Sequence, residues 1–267
     1  MLRAQWSPAV SRMFRKIRIA VLLLILVNVG VGTWLARART TSWEYPLRVA
    51  VFPINGDGSA ASASYISNLK RDNFSAVAHF MRSEGKRYGL TQTEPVDVYL
   101  APEIHALPPP PPFGGNPLQV GLWSLQMRFW AWMRAQFGGP KPHVQMFVVY
   151  HDPARVSRVT HSLGLQKGLI GVVNAFASDE QTAQNNIVIA HELLHTVGAT
   201  DKYDLATNEP LPPDGYAEPD KDPLLPQAFA EIMAGRIPSS TTQSEMPSSL
   251  DTVLIGPKTA REINWVR

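Results

Sequence analysis

Between positions 191 and 201 the chain reads His-Glu-Leu-Leu-His-Thr-Val-Gly-Ala-Thr-Asp, an HExxHxxGxxD pattern. On a helix, residues four apart share a face, so His191 and His195 can present two imidazoles to one metal ion. Glu192, beside the first of them, is placed to act on water rather than on the metal. Gly198 can end the helix in a left-handed conformation that most residues resist. The chain then turns back and brings Asp201 within reach as a third, anionic ligand. Three protein ligands with one open position make a catalytic zinc site, whereas a structural zinc usually has four and here would need cysteines. The chain contains none.

The residues around the pattern agree with a helix. Asp179 and Glu180 carry the negative charge suited to a helix N-terminus. Ile187, Ala190, Leu194 and Val197 follow at helical spacing and form a face to bury. An amphipathic helix with two surface histidines would account for HExxH alone, but it leaves Gly198 and Asp201 without a reason.

HExxHxxG with a ligand at the tenth position after the first His is similar to the signature of the metzincin clan of zinc peptidases. Asp201, where most of that clan has His, resembles the variant of the snapalysin-type peptidases. The resemblance implies a zinc metalloendopeptidase acting on a peptide or protein, with zinc on His191, His195 and Asp201 and with Glu192 as general base. It implies an α+β, zincin-like fold: a twisted mixed sheet, an active-site helix and a C-terminal subdomain. It also implies a methionine turn beneath the metal, for which Met233, 38 residues after His195, stands at a similar spacing. No tyrosine closely follows Met233. Tyr203 either donates a hydrogen bond to the developing oxyanion or closes its loop as a partly buried aromatic. In the clan an edge strand borders the cleft and pairs with the extended peptide, and 156–168 is the segment for it. The resemblance covers about a dozen residues closely and 144–233 more loosely.

Composition bounds the rest. With 267 residues, 45% of them hydrophobic, the chain can bury one substantial core. The net charge of +3 is misleading as an average, because residues 1–40 hold seven of the 25 basic residues and no acidic one. From position 41 on, 18 basic residues face 22 acidic ones, a net charge of −4. That part has no basic stripe of the kind nucleic-acid binding requires, and a nucleic-acid partner is excluded.

Ile19 to Leu35 is an uncharged apolar run of 17 residues, preceded by the basic cluster Arg12 to Arg18. It is expected to be an uncleaved transmembrane signal anchor, single-pass, with 1–18 as a basic cytoplasmic tail and the following domain on the extracytoplasmic side. Ala36-Arg37-Ala38 also resembles a cleavage site, with Arg37 awkwardly placed. Trp34 and Trp43 are expected near the outer interface, residues 36–45 form a linker, and 46–267 form the peptidase-like domain.

Within that domain elements alternate. Leu47 to Pro53, Val96 to Leu100, Val144 to Tyr150 and Leu169 to Phe176 read as strands. Ser64 to Tyr88 reads as one helix, and Leu118 to Phe137, with Trp123, Phe129, Trp130 and Trp132, as a core helix beneath the sheet. Pro108 to Pro112 is a stiff connector. Residues 201–226, rich in acid and proline, read as an ordered irregular loop walling the cleft. They are solvated or, as the other readings, favour basic substrate residues or hold calcium. His79, His105, His143, His151 and His161 lack ligand spacing, although His151 and His161 lie near the site. Pro257 to Trp265 is a short closing helix.

Two other readings stand beside the peptidase. One is a membrane-anchored binding or scaffold module with a degenerate or structural zinc site, completed by Glu231 or a loop aspartate. The other, similar to thermolysin-like enzymes, takes Glu231 as the third ligand in place of Asp201.

Overall fold

The computed structural model describes residues 40–266 apart from Phe113, Phe137 and Lys167, and in addition 17–21, 23, 24, 27 and 31. The chain divides into two compact units, 1–41 and 42–267. In the first, the described residues between 17 and 31 are helical. Among the described residues no helix is long and apolar enough to cross a membrane. The span expected over 19–35 therefore gains no support. Its 17 residues fall short of the roughly 20 a bilayer asks for, and Asn28, Gly30 and Gly32 interrupt them. Its remaining positions, Trp34 and the basic tail up to residue 16 lie outside the described residues.

In the second unit, strands β1 (Leu47–Asn55), β2 (Val96–Leu100), β3 (Val144–His151), β4 (Leu163–Leu165) and β5 (Ile170–Phe176) form one sheet in the order β2-β1-β3-β5-β4. Neighbours among β2, β1, β3 and β5 are parallel, and β4 alone runs antiparallel, along the outer edge of β5. Between and after the strands lie helices α1 (Ala60–Asn68), α2 (Ser75–Arg87), α3 (Pro117–Arg134), α4 (Thr182–Val197) and α5 (Pro257–Glu262).

Strands β1 and β3 are buried along almost their whole length, as parallel strands covered on both faces must be. Val49, Val51, Val98, Met146, Val148 and Val173 join one core with residues of α1, α2 and α4. Ala50, Phe52, Phe147, Val149 and Val172 join a second, with Trp123, Met127, Trp130 and Ala131 of α3. The expected mixed sheet is present. Its parallel majority and alternating helices make the class α/β rather than α+β.

Three local expectations change. The helix read over 64–88 is broken: α1 ends at Asn68, Leu69 turns extended at ψ 138°, and a 3-10 turn at Arg71–Phe74 leads into α2. Asn73 accepts from the Lys70 backbone N–H, a side-chain bond that competes with helix continuation. Helix α3 does lie on the sheet, but only Trp123, Met127, Trp130 and Ala131 are buried, while Phe129 and Trp132 stand open to solvent. Trp43, expected at a membrane interface, is instead a core residue: its indole N–H donates to the Ile263 carbonyl and its ring packs edge-on against Trp265. The domain thus begins before position 46.

Helix α3 starts where its sequence says it should. Asn116 accepts from the Gln119 N–H, Gln119 accepts from the Asn116 N–H, and Pro117 takes the first helical position. The proline run is pinned as a connector, since the Trp123 indole donates to the Pro109 carbonyl.

Beyond α4 the chain forms short pieces: β6 (Ala230–Glu231), β7 (Ile237–Pro238), β8 (Ser244–Glu245) and β9 (Val253–Leu254). β6 pairs parallel with β9, and β7 with β8 as a hairpin. The loop over 201–226 is irregular as expected, tied by isolated bridges from Tyr203 to Pro210 and from Tyr216 to Ala230.

Candidate metal centre

Helix α4 carries the HExxH residues and is held at both ends. Near its start Asn185, buried, accepts from the Phe176 N–H and donates to the Phe176 carbonyl, closing the end of β5 onto the helix. Asn186, also buried, donates to the Asn73 carbonyl. At its end Gly198 takes φ 117°, and the N–H groups of Gly198 and Ala199 close on the Leu194 carbonyl. That is the left-handed cap read from the sequence. Ile187, Ala190, Leu194 and Val197 are all buried, as their spacing demands.

The turn after Gly198 brings Asp201 back to the two histidines. His191 Nε2 and His195 Nε2 lie 3.1 Å apart, and Asp201 Oδ1 lies 3.2 Å from the first and 3.1 Å from the second. The three ligand atoms form a nearly equilateral triangle. Among the described residues this is the one group of three such side chains close enough to share an ion. A tetrahedral zinc with bonds of about 2.0–2.1 Å places its ligand atoms about 3.3–3.4 Å apart, so the triangle needs only a slight expansion to fit.

The ring orientations are set from behind. His191 Nδ1 lies 2.9 Å from the Ile232 carbonyl and His195 Nδ1 lies 2.8 Å from the Ala199 carbonyl. A carbonyl only accepts, so each Nδ1 carries a proton, and in the neutral ring the Nε2 lone pair then faces the triangle. In that form two lone pairs and a carboxylate converge with no donor among them, so a cation must join them, either a metal ion or a proton on a ring nitrogen. Burial opposes charge on His191, yet the Asp201 carboxylate lifts it to about 8. Burial likewise opposes ionisation of Asp201, yet the two histidines hold its carboxyl well below the usual range.

Glu192 sits beside the triangle without joining it. It is buried, and its Oε2 has no hydrogen-bond partner among the described residues. A buried carboxylate oxygen without a partner asks for a ligand or water to meet it. Burial pushes the Glu192 carboxyl above its ordinary value, against the pull of His191 and His195. Next to it opens a cavity of about 380 Å³, lined by His191, Glu192 and Tyr203 and by Ile232, Ala234 and Arg236. Burial, with Asp201 and Glu192 nearby, pushes the Tyr203 phenol up to about 12, so Tyr203 stays a protonated donor.

The segment after Asp201 is clamped by residues far away in sequence. Glu262 on α5 accepts from the Thr200 N–H and hydroxyl and from the Lys202 ammonium, gripping both neighbours of Asp201. The Lys202 N–H donates to the Met233 carbonyl. Met233 is fully buried, and its turn is held by Glu231, whose carboxylate accepts from the Met233 and Ala234 amides, the Gly256 amide and the Thr259 hydroxyl. Glu231 is thus an anchor of the turn, with four donors on its oxygens, and the readings that made it a ligand are corrected. Nothing local in the sequence announced Glu262 or Asn185, because their partners lie on other elements, and Glu231 reads there only as an alternative ligand because Gly256 and Thr259 lie more than twenty positions away.

Other expectations sort plainly. His161 lines the cavity, His151 reaches Asn174 on its wall, and His79 lines a separate groove. Among the described residues the acidic side chains of 201–226 gather no second group of potential ligands, and Tyr203 and Asn208 of that loop line the cavity. The segment 156–168 supplies edge strand β4, as expected. Searches of protein-family models and of curated proteins give no match to this chain.

Proposed function

We propose that this chain is a zinc-dependent endopeptidase of the metzincin type, in its HExxHxxGxxD variant. The observation that carries the reading is the convergence of His191 Nε2, His195 Nε2 and Asp201 Oδ1 beside the unpartnered, buried Glu192 Oε2 at the mouth of a cavity.

His191, His195 and Asp201 would hold the zinc. When bound, zinc acidifies water and polarises a carbonyl at neutral pH. Glu192 takes the proton from the attacking water at its free oxygen and passes it to the leaving amine. Its raised pKa suits both halves of that transfer. Tyr203, kept protonated, donates to the oxyanion that develops on the scissile carbonyl. The outer edge of β4 offers unpaired backbone groups to an extended peptide, which would add to the sheet as a further strand. Arg158 and Arg236 line the cavity, and Glu192 is its one acidic lining residue among those described, so the cavity suits an acidic substrate side chain. Extracytoplasmic placement through the apolar run 19–35 is part of the proposal and rests on that sequence and its basic flank alone.

Incubating the purified chain with casein and a peptide library, with and without chelator, tests the proposal. Cleavage should stop on chelation and return with zinc. No cleavage by the zinc-loaded chain, or cleavage indifferent to chelator, would overturn it. A zinc-loaded but inert chain would turn the reading toward a binding module.

A further inference from the structure

The outer face of α3 has no role in the site and none in the core. Leu118, Leu122, Leu125, Phe129 and Trp132 follow one another at steps of four, three, four and three, so they form a single stripe along the helix. Their exposures are 71, 59, 61, 58 and 71%. Met133 flanks the stripe and is also exposed, while Trp123, Met127, Trp130 and Ala131 hold the opposite side to the sheet. Six large apolar side chains on one face of a helix bare roughly several hundred Å² of contiguous apolar surface, a patch of the size that marks an interaction site.

Charge selects the occupant. From Ile104 to His151 the chain has no Asp or Glu, and it carries Arg128, Arg134 and Lys141. Two copies of α3 packed face to face would set Arg128, which borders the stripe, at a joint where neither helix offers an acid. An anionic lipid surface answers both features, taking the apolar stripe below its headgroups and the Arg128 guanidinium at their level. Phe129 and Trp132, stacked at 5.9 Å, are residue types that favour that boundary.

We propose that α3 is a membrane-docking helix that seats this face of the domain in the interface of an anionic bilayer. The surface is distinct from the apolar run at 19–35, and the inference does not depend on the peptidase reading.

The absence of cysteine makes a local test direct. Phe129→Cys in the full chain, labelled with an environment-sensitive fluorophore, is placed on phosphatidylcholine vesicles with and without phosphatidylglycerol. Thr241→Cys, in the exposed turn between β7 and β8, serves as the reference. With phosphatidylglycerol present, the label at 129 should shift to the blue, lose severalfold in quenching by aqueous iodide and become quenched by spin-labelled lipid. The label at 241 should stay open to iodide. Leu122→Glu should restore iodide access at 129, and added salt should weaken the effect. A label at 129 that stays accessible on both vesicles overturns the proposal. So does one shielded without spin-lipid quenching, which identifies a protein occupant: a second copy if dilution exposes the label, or the chain's own 19–35 segment if it does not.

Discussion

Gly164 on β4 stands so close to α4 that a Cβ at that position would lie 2.5 Å from His195 Cβ and 2.6 Å from the Glu192 carbonyl. The edge strand and the helix bearing the metal ligands touch backbone to backbone there, so strand position and ligand position are one variable. Gly164→Ala has no flexible neighbour to displace. Its added methyl should cost roughly 1–3 kcal/mol in stability and weaken zinc binding by moving His195. Thermal melting and a zinc titration check this against Gly121→Ala, where a Cβ meets nothing and the helix gains up to about 1 kcal/mol. Equal behaviour of the two variants would mean that strand and helix are not coupled.

Glu192 has no part in the ligand triangle, so removing it should leave the metal in place. Glu192→Ala is expected to bind zinc like the wild type and to lose hydrolysis by about 10²–10⁴-fold. Zinc content and single-turnover cleavage measure the two separately. Retained turnover would take the proton transfer away from this residue.

Tyr203 is argued to act late, on charge that develops during the reaction. Tyr203→Phe should therefore lower kcat by about 10–100-fold with little change in KM and none in zinc content. A change confined to KM would make the residue part of the cavity wall instead.

Glu262 is a positioning residue whose effect depends on pH. Although burial raises its pKa, Lys202 and Thr200 pull it below its ordinary value of 4.5, so its ionised form stabilises the fold. That contribution is present above about pH 4.5 and is lost as pH falls through the depressed folded value. Glu262→Gln should melt lower than wild type at neutral pH, and the gap should close in acid. Glu262→Ala leaves the Lys202 ammonium buried without a counter-charge, at a cost of about 3–5 kcal/mol. A gap in melting temperature that stays constant into acid would contradict the clamp.

The sequence was most legible where one segment carries its own instructions. HExxH, the buried positions Ile187 to Val197 and the left-handed Gly198 lie within a dozen residues, and each has a local cause. Strand Val96–Leu100 was readable for the same reason. The break at Leu69 was not, because no Gly or Pro marks it and the competing bond comes from Asn73. Phe129 and Trp132 misled because apolar character says that a side chain wants cover, not which surface covers it. Trp43 misled in the same way, its partner Ile263 lying 220 positions away. The clamp by Glu262, and the half of the Glu231 clamp that meets Gly256 and Thr259, depend on such long-range pairings and left no trace in spacing.

Zinc stoichiometry and affinity at neutral pH test the central claim most directly. With no cysteine in the chain, nitrogen and oxygen ligands must do all the binding. One tightly held zinc per chain is expected, with binding weakened severely in His191→Ala, His195→Ala and Asp201→Ala and unchanged in Glu231→Gln variants that remain folded. Binding that survives the loss of Asp201, or no zinc bound by the wild type, would contradict the account.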